Sequence, residues 1–339
     1  MRDMIRPRFL SEGDMIGVTA PSAGVSDPID VIRFENAKAN LERRGYSVRF
    51  TPNVFSDIDG DRSSPAEQRA EELDSLLSDS DIRYVVSAKG GDYLNERFDF
   101  TDLSAIANDP KWVQGYSDNT DILMTITTVY DIMSVYCGNF GDFGMEPWHR
   151  SITENMGILE GRTVSQDSFE MYDDYFVDRI VGTEPLRGDL PVSWKSEGDV
   201  SFSGIALGGC MDKLAIMVGT RRDRVRDFVE RYRDEGIVWY LERFAGNRTS
   251  EIRDLRSMME NGWFEHASGF VFGRPMFYGG DDYEDAVRSV LSELQVPIVF
   301  DADVGHKAPR MTLINGARIT VDVRGDRGRI SYPGLTEDY

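Results

Sequence analysis

Strand-like and helix-like segments alternate along most of this chain, and that alternation restricts its folds more than any other feature. Met15–Ala20 (MIGVTA) is an apolar run with the character of a buried strand. Asp27 and Pro28 then open a helix whose apolar positions Ile29, Ile32, Ala37 and Leu41 share a face, with Gly45 to end it. Ser47–Pro52 returns as a strand. Ser64-Pro-Ala-Glu67 has the form of a capping box, ahead of Ala66, Ala70, Leu73 and Leu77 at helical spacing. Tyr84–Ala88 and Trp112–Tyr116 are short apolar strands. The first runs into Gly90-Gly91, the second into Ser117 and a helical stretch to about Tyr130. Strands and helices in this rhythm predict a mostly parallel sheet covered by helices on both faces.

Between Gly138 and Pro185 the pattern breaks, and aromatic residues such as Trp148, Tyr172, Tyr175 and Phe176 lie among acids and glycines. From Leu186 a second αβ pattern begins, with strands at Phe202–Leu207, Ile237–Leu241, Gly269–Gly273 and Ile298–Asp301. Helices are predicted from Met211, over Arg222–Glu235, over Ser250–Asn261 and over Asp282–Leu294. Short strands near Arg318–Val323 and Arg329–Tyr332 finish it. The expected organisation is an N-terminal α/β domain over 1–160, a connecting region over 161–185 and a C-terminal α/β domain over 186–339.

Fifty-nine acids against 38 bases give a formal net charge of −21. Such a surplus argues against a nucleic-acid polymer or an anionic membrane as partner. The N-terminus lacks the uninterrupted apolar stretch of a signal peptide, and no run approaches the roughly 18 apolar residues that span a bilayer. A cytoplasmic protein is expected. Cys137 and Cys210, far apart in apolar surroundings, read as buried free thiols.

There are three histidines. His149 follows Pro147-Trp148 in a loop, and His266 ends a helix in Trp263-Phe-Glu-His. His306 lies in Gly305-His-Lys-Ala-Pro309 just after the strand Ile298–Asp301. None has metal-ligand spacing, so no metal is expected. The address of His306, at the carboxyl end of a strand, is where open αβ sheets bind ligands. Ser117 has the matching address in the first half. In Gly115-Tyr-Ser-Asp-Asn-Thr120 a strand ends and a helix begins within one or two residues. That turn can lift a hydroxyl out of the sheet beside helix N-terminal amides. Read alone, a serine that caps the next helix would look the same, and Asn119 stands where a second glycine of G-x-S-x-G belongs. Glu242 ends the apolar strand Ile237–Leu241. It reads equally as a solvated end, an ion pair with Arg243, or the group that holds a histidine's tautomer. Together the three stand at strand ends in the order Ser, Glu, His.

With Met15-Ile-Gly-Val-Thr-Ala-Pro-Ser22, Ala88-Lys-Gly-Gly91, Gly115-Tyr-Ser-Asp118, Gly208-Gly-Cys210, Tyr240-Leu-Glu242 and Gly305-His-Lys-Ala-Pro309 in this order, the chain resembles the L,D-carboxypeptidases over about residues 8–325. That family includes the microcin C self-immunity peptidases. The resemblance implies a serine peptidase with Ser117 as nucleophile and Glu242 and His306 completing its triad, with no cofactor. Its oxyanion hole would be main-chain amides, here Asp118 and the Gly90-Gly91 turn, with Gly91 favoured. It also implies an N-terminal layered domain like that of class I glutamine amidotransferases, a smaller C-terminal α/β domain, and a homodimer. The substrate would be a small peptide or a peptidyl- or aminoacyl-nucleotide carboxamide, the alternative being the muropeptide tetrapeptide of cell-wall recycling. A non-catalytic binding protein on the same fold is the rival of another class. The segment Val296–His306, the long Gly138–Pro185 region and Asn95 resemble the immunity type. In that type Trp194 would stack on the nucleobase, against the plain alternative of a half-buried loop tryptophan. Gly90 and Asn119 are further candidate substrate contacts. Lys89, Lys195, Arg243, Arg248 and Lys307 are the bases that could offset the acidic charge near an anionic substrate.

Overall fold

The computed structural model describes residues 4–176 and 182–337. They divide into two compact α/β units, one of residues 4–163 with 182–185, the other of 164–176 with 186–337.

In the N-terminal unit the strands Ser47–Phe50, Met15–Thr19, Ile82–Ser87, Trp112–Gly115 and Ser134–Tyr136 lie side by side in that order, every neighbouring pair parallel. Buried Ile16, Val18, Val85, Val86, Trp112 and Val113 explain why these strands read as continuous apolar runs: a parallel sheet is covered on both faces. The helices Pro28–Glu42, Ala66–Ser78 and Thr120–Tyr130 make the crossovers. Because the strands are parallel, the turns after Thr19, Ser87 and Gly115 leave the same edge of the sheet. That edge carries Ser117.

The C-terminal unit is built on a seven-stranded mixed sheet. Ile298–Ala302, Ala267–Gly273, Ile237–Glu242 and Val200–Cys210 are parallel neighbours, and Arg318–Arg324, Arg327–Ser331 and Ser165–Asp167 follow antiparallel. Glu242 closes one parallel strand, and the turn bearing His306 follows another at the same edge.

Three expectations change here. The 161–185 segment, read as a connection, supplies the edge strand Ser165–Asp167. Gln166 there exchanges two 2.9 Å hydrogen bonds with the Thr312 backbone. Met171–Tyr172 pairs with Leu190–Pro191 as a small antiparallel ribbon. The part of that expectation that falls on 177–181 lies outside the described residues. With 164–176 added, the C-terminal unit is not the smaller of the two. Finally, Ser64 makes no capping box: the helix starts at Ala66 with Pro65 at its cap and no side-chain cap bond. No helix among the described residues is long and apolar enough to cross a membrane.

Caps give a direct test of these local readings. Asp27 accepts the Ile29 amide at 2.9 Å, whereas the Ser64 hydroxyl is buried without a partner. Asp27→Ala is expected to cost about 1 kcal/mol. Ser64→Ala, which removes an unsatisfied hydroxyl, should be neutral or slightly stabilising. Urea midpoints of the two variants measure the difference; equal losses would mean that Ser64 caps the helix after all.

Candidate active site

Ser117 stands at the junction of the strand Trp112–Gly115 and the helix Thr120–Tyr130, within the short 3₁₀ turn Ser117–Asn119. Its φ is +62°, a left-handed conformation that a residue with a Cβ adopts only under constraint. The surroundings supply that constraint. The Ser117 amide donates to the Tyr136 hydroxyl at 3.3 Å, and its carbonyl accepts the Thr120 hydroxyl at 2.6 Å. This is the strained strand-to-helix elbow that holds a serine hydroxyl out of a sheet.

The Gly90-Gly91 turn passes directly beside it. A Cβ on Gly90 would fall 3.1 Å from Ser117 Oγ and 3.8 Å from the Asp118 amide nitrogen. Gly91 has φ +149°, and a Cβ there would meet the Ser22 hydroxyl at 2.4 Å. Only a glycine pair lets the backbone come this close. Asn119 is wholly buried. Its Nδ2 donates to the Lys89 and Tyr116 carbonyls at 3.0 and 3.1 Å and approaches Asn139 Oδ1 at 3.2 Å. The side-chain amide nitrogen therefore ties the Lys89 turn to the elbow, while Oδ1 is buried without a hydrogen-bond partner.

In the C-terminal unit His306 Nδ1 lies 2.9 Å from Glu242 Oε2, both side chains sealed from solvent. With Nδ1–H donating to the carboxylate, Nε2 carries the lone pair and can act as a base. Gly305 makes the approach possible. At φ +97° its missing Cβ would sit 2.7 Å from Glu242 Cβ, Cγ and Oε2 alike. The Arg310 guanidinium donates to the Gly305 carbonyl at 2.9 Å and holds the turn. The alternative pairing of Glu242 with Arg243 does not occur. Arg243 turns to Glu251 at 2.8 Å, Asp254 at 3.1 Å and Asp212 at 3.7 Å. Buried among them, Glu251 has its carboxyl pushed up by desolvation, against the pull of Arg243.

Sequence reasoning missed the aromatic setting of the histidine. The Phe244 ring lies 4.5 Å and the Phe176 ring 5.8 Å from the imidazole, and Phe277 packs on both phenylalanines. Phe277 is 52 % exposed. Phe244 could have been found two residues after Glu242; no local signal points to Phe277.

Trp194 is not an open platform. It is 1 % exposed, the Gly328 backbone packs against its six-membered ring, and its indole N–H donates to Asp303 Oδ2 at 3.0 Å. Asp303 also accepts the Phe169 amide at 3.0 Å and pairs with Arg274 at 2.5 Å. Burial raises its carboxyl pKa, with Arg274 pulling the other way. A ring with no free face cannot stack on a base, so Trp194 is a core residue that anchors the strand end before His306. The five bases singled out in the sequence are likewise committed: Lys89 pairs with Asp30, Lys195 with Glu284 and Asp301, Arg248 with Asp282, Lys307 with Asp174, and Arg243 as described.

Among the described residues, Glu230, Glu265 and His266 place ligand atoms close enough together to share an ion. All three are exposed, His266 Nε2 faces Glu230 at 3.1 Å, and Arg233 and Arg226 pair with the two carboxylates. The cluster is an ordinary solvated ion-pair group.

Two family models match the chain: the LD-carboxypeptidase N-terminal domain over residues 16–137 and the LD-carboxypeptidase C-terminal domain over residues 203–321. A Vibrio cholerae protein that carries the name carboxypeptidase is 26 % identical over 333 residues, covering 94 % of this chain and 95 % of that one. The Escherichia coli microcin C7 self-immunity protein MccF is 24 % identical over 348 residues, covering 97 % and 95 %. A structure of MccF in complex with aspartyl sulfamoyl adenosine superposes with a TM-score of 0.79 at 22 % identity, covering 96 % of this chain and 98 % of that one.

Two substitutions test the local geometry. Gly305→Ala should displace His306 from Glu242 and abolish the downfield Nδ1 proton in the NMR spectrum; its persistence would show that the turn has room for a methyl group. Trp194→Ala should lower stability by about 3–5 kcal/mol, as for a buried large aromatic. A near-zero shift in the urea midpoint would contradict its burial.

Proposed function

The chain belongs to the LD-carboxypeptidase family, and from that premise we propose that it is a serine carboxypeptidase that hydrolyses a C-terminal amide through an acyl-enzyme. The observation that carries the reading is the buried 2.9 Å contact between Glu242 and His306 Nδ1. It leaves Nε2 as the basic atom of an imidazole whose orientation is fixed.

In this reading Ser117 is the nucleophile. Its Oγ attacks the amide carbonyl while His306 Nε2 takes the hydroxyl proton, and Glu242 stabilises the imidazolium. The oxyanion is held by the Asp118 and Gly91 amides, the Gly90-Gly91 turn lying beside the Ser117 hydroxyl. His306 returns the proton to the departing amine as the C–N bond breaks. Water, deprotonated by the same imidazole, then cleaves the ester, and Ser117 recovers its proton. No step needs a metal or an organic cofactor.

For substrate we propose a peptidyl- or aminoacyl-nucleotide carboxamide, as in the microcin immunity branch. Its support is the likeness to MccF, whose complex holds an aspartyl adenosine analogue. The rings of Phe244 and Phe176 beside the imidazole, with exposed Phe277 packed on both, offer the aromatic surface that Trp194 does not. The same reading takes the protein as a cytoplasmic homodimer.

Ser117→Ala, His306→Ala and Glu242→Gln should each lower kcat by about 10⁴-fold or more, and residues that act as one unit should be non-additive. A Ser117→Ala/His306→Ala double variant that loses the product of the single losses would break the assignment. A fluorophosphonate should label the peptide containing Gly115–Thr120; an adduct on Cys137 or Cys210 would assign the chemistry elsewhere. Aspartyl-adenylate amide and muropeptide tetrapeptide assayed side by side decide the branch. Faster turnover of the tetrapeptide would place the protein in cell-wall recycling, and turnover of neither would favour a binding protein.

A further inference from the structure

Three turns leave the active edge of the N-terminal sheet, and one carboxylate joins them. Asp118 Oδ2 accepts the Ser22 hydroxyl at 2.5 Å and the Leu94 amide at 2.9 Å. Asp118 is 3 % exposed and Ser22 not at all, so both bonds lie out of water. Hydrogen bonds to an ionised acceptor are shorter and stronger than neutral ones. The Ser22 hydroxyl that reaches Asp118 is also the group that Gly91 rests on: 2.4 Å separates it from the position a Gly91 Cβ would take. Next to it the Ala23 amide donates to the Gly90 carbonyl at 3.1 Å. Buried Arg69 fixes the same turns, donating to the Pro21 carbonyl at 3.2 Å and the Tyr93 carbonyl at 2.9 Å and pairing with Glu96 at 2.7 Å.

We infer that the Asp118 side chain is a positioning group, which through Ser22 and Leu94 sets the separation between the Gly91 and Asp118 amides that bind the oxyanion. The inference rests on the reading of Ser117 as nucleophile. Asp118 thereby contributes twice: its amide faces the reacting centre, and its carboxylate fixes the distance to the opposite donor. The physical reason for such a link is that an oxyanion hole works only if both donors are aimed before charge develops. Two glycines that need no side-chain room also have no side chain to lock them. The hydroxyl–carboxylate bond replaces that lock.

The test uses the full chain and a fluorophosphonate, whose tetrahedral adduct on serine places an oxygen in the hole whatever the natural substrate is. Ser22→Ala and Asp118→Asn should each slow the labelling step by about 10- to 100-fold, the scale of a misplaced catalytic group. The concentration of reagent at half-saturation should stay near the wild-type value. Because both act through one bond, the double variant should be no slower than the slower single variant. Circular dichroism and urea midpoints establish that each variant is folded under assay conditions. Wild-type labelling in Ser22→Ala, losses that multiply in the double variant, or slowing that follows the unfolded fraction would each overturn the inference. Ser117→Ala separates it from the reading beneath. If that variant takes no label while Ser22→Ala labels normally, only the positioning role falls. If Ser117→Ala still labels, or the wild type does not, the nucleophile assignment falls with it.

Discussion

The C-terminal unit is organised around one demand, that a carboxylate without exposed surface be kept as the partner of an imidazole. A buried charge loses its hydration, and that loss is offset only when the partner and the remaining hydrogen bonds are in place. Glu242 ends a strand whose next residue is an arginine, the more obvious counter-ion. Were Arg243 to pair with it, His306 would have no strong acceptor for its Nδ1 proton. The structure prevents this with Glu251, Asp254 and Asp212, which together take the guanidinium. By taking the arginine, those acids leave Glu242 for the imidazole. The turn after Ile298–Ala302 completes the arrangement from the other side, with a left-handed glycine at 305 and Arg310 on its carbonyl.

The N-terminal unit meets the same problem with strain rather than charge. Ser117 occupies a conformation that costs of order 1–3 kcal/mol for a residue with a Cβ. The Tyr136 hydroxyl and the Thr120 hydroxyl hold its amide and carbonyl, and Asn119 anchors the elbow to the Lys89 carbonyl. Ser117 itself occupies the disfavoured conformation, whereas before His306 a glycine takes the left-handed position. In both units hydrogen bonds from neighbouring polar side chains hold the turn.

What could be read from the sequence follows from that division. Parallel strands are buried on both faces, so they appear as short apolar runs, and Ser117, Glu242 and His306 were legible as polar residues placed just beyond three of them. Groups that depend on long-range partners were not. Trp194 looks like a loop tryptophan until Asp303, 109 residues further on, takes its indole proton. Ser165–Asp167 is too polar and too short to announce a strand, because it is an edge strand that borrows its register from Arg327–Ser331. Ser64 has the right neighbours for a capping box, but Pro65 occupies the cap position and the hydroxyl remains buried without a partner. Local patterns report on local bonds; the bonds that differ here close over a hundred residues or are displaced by one.

The acid surplus also takes on a specific meaning. A net charge of −21 suggests a solvated, self-repelling surface, and the bases within it look like natural partners for an anionic substrate. Lys89, Lys195, Arg243, Arg248 and Lys307 are instead each paired with carboxylates of their own unit. Recruiting exposed Lys195 or Arg248 to a ligand would exchange an ion pair worth about 0–1 kcal/mol, whereas buried Arg243 could leave its three acids only at a much larger cost. The proposed reaction also draws on groups that carry no charge, the amides of the Gly90-Gly91 turn and of Asp118. Such contacts discriminate by shape and by where charge develops during the reaction. For the proposed amidase the second kind is the more useful, since a contact made only as charge develops favours the transition state over the bound ground state.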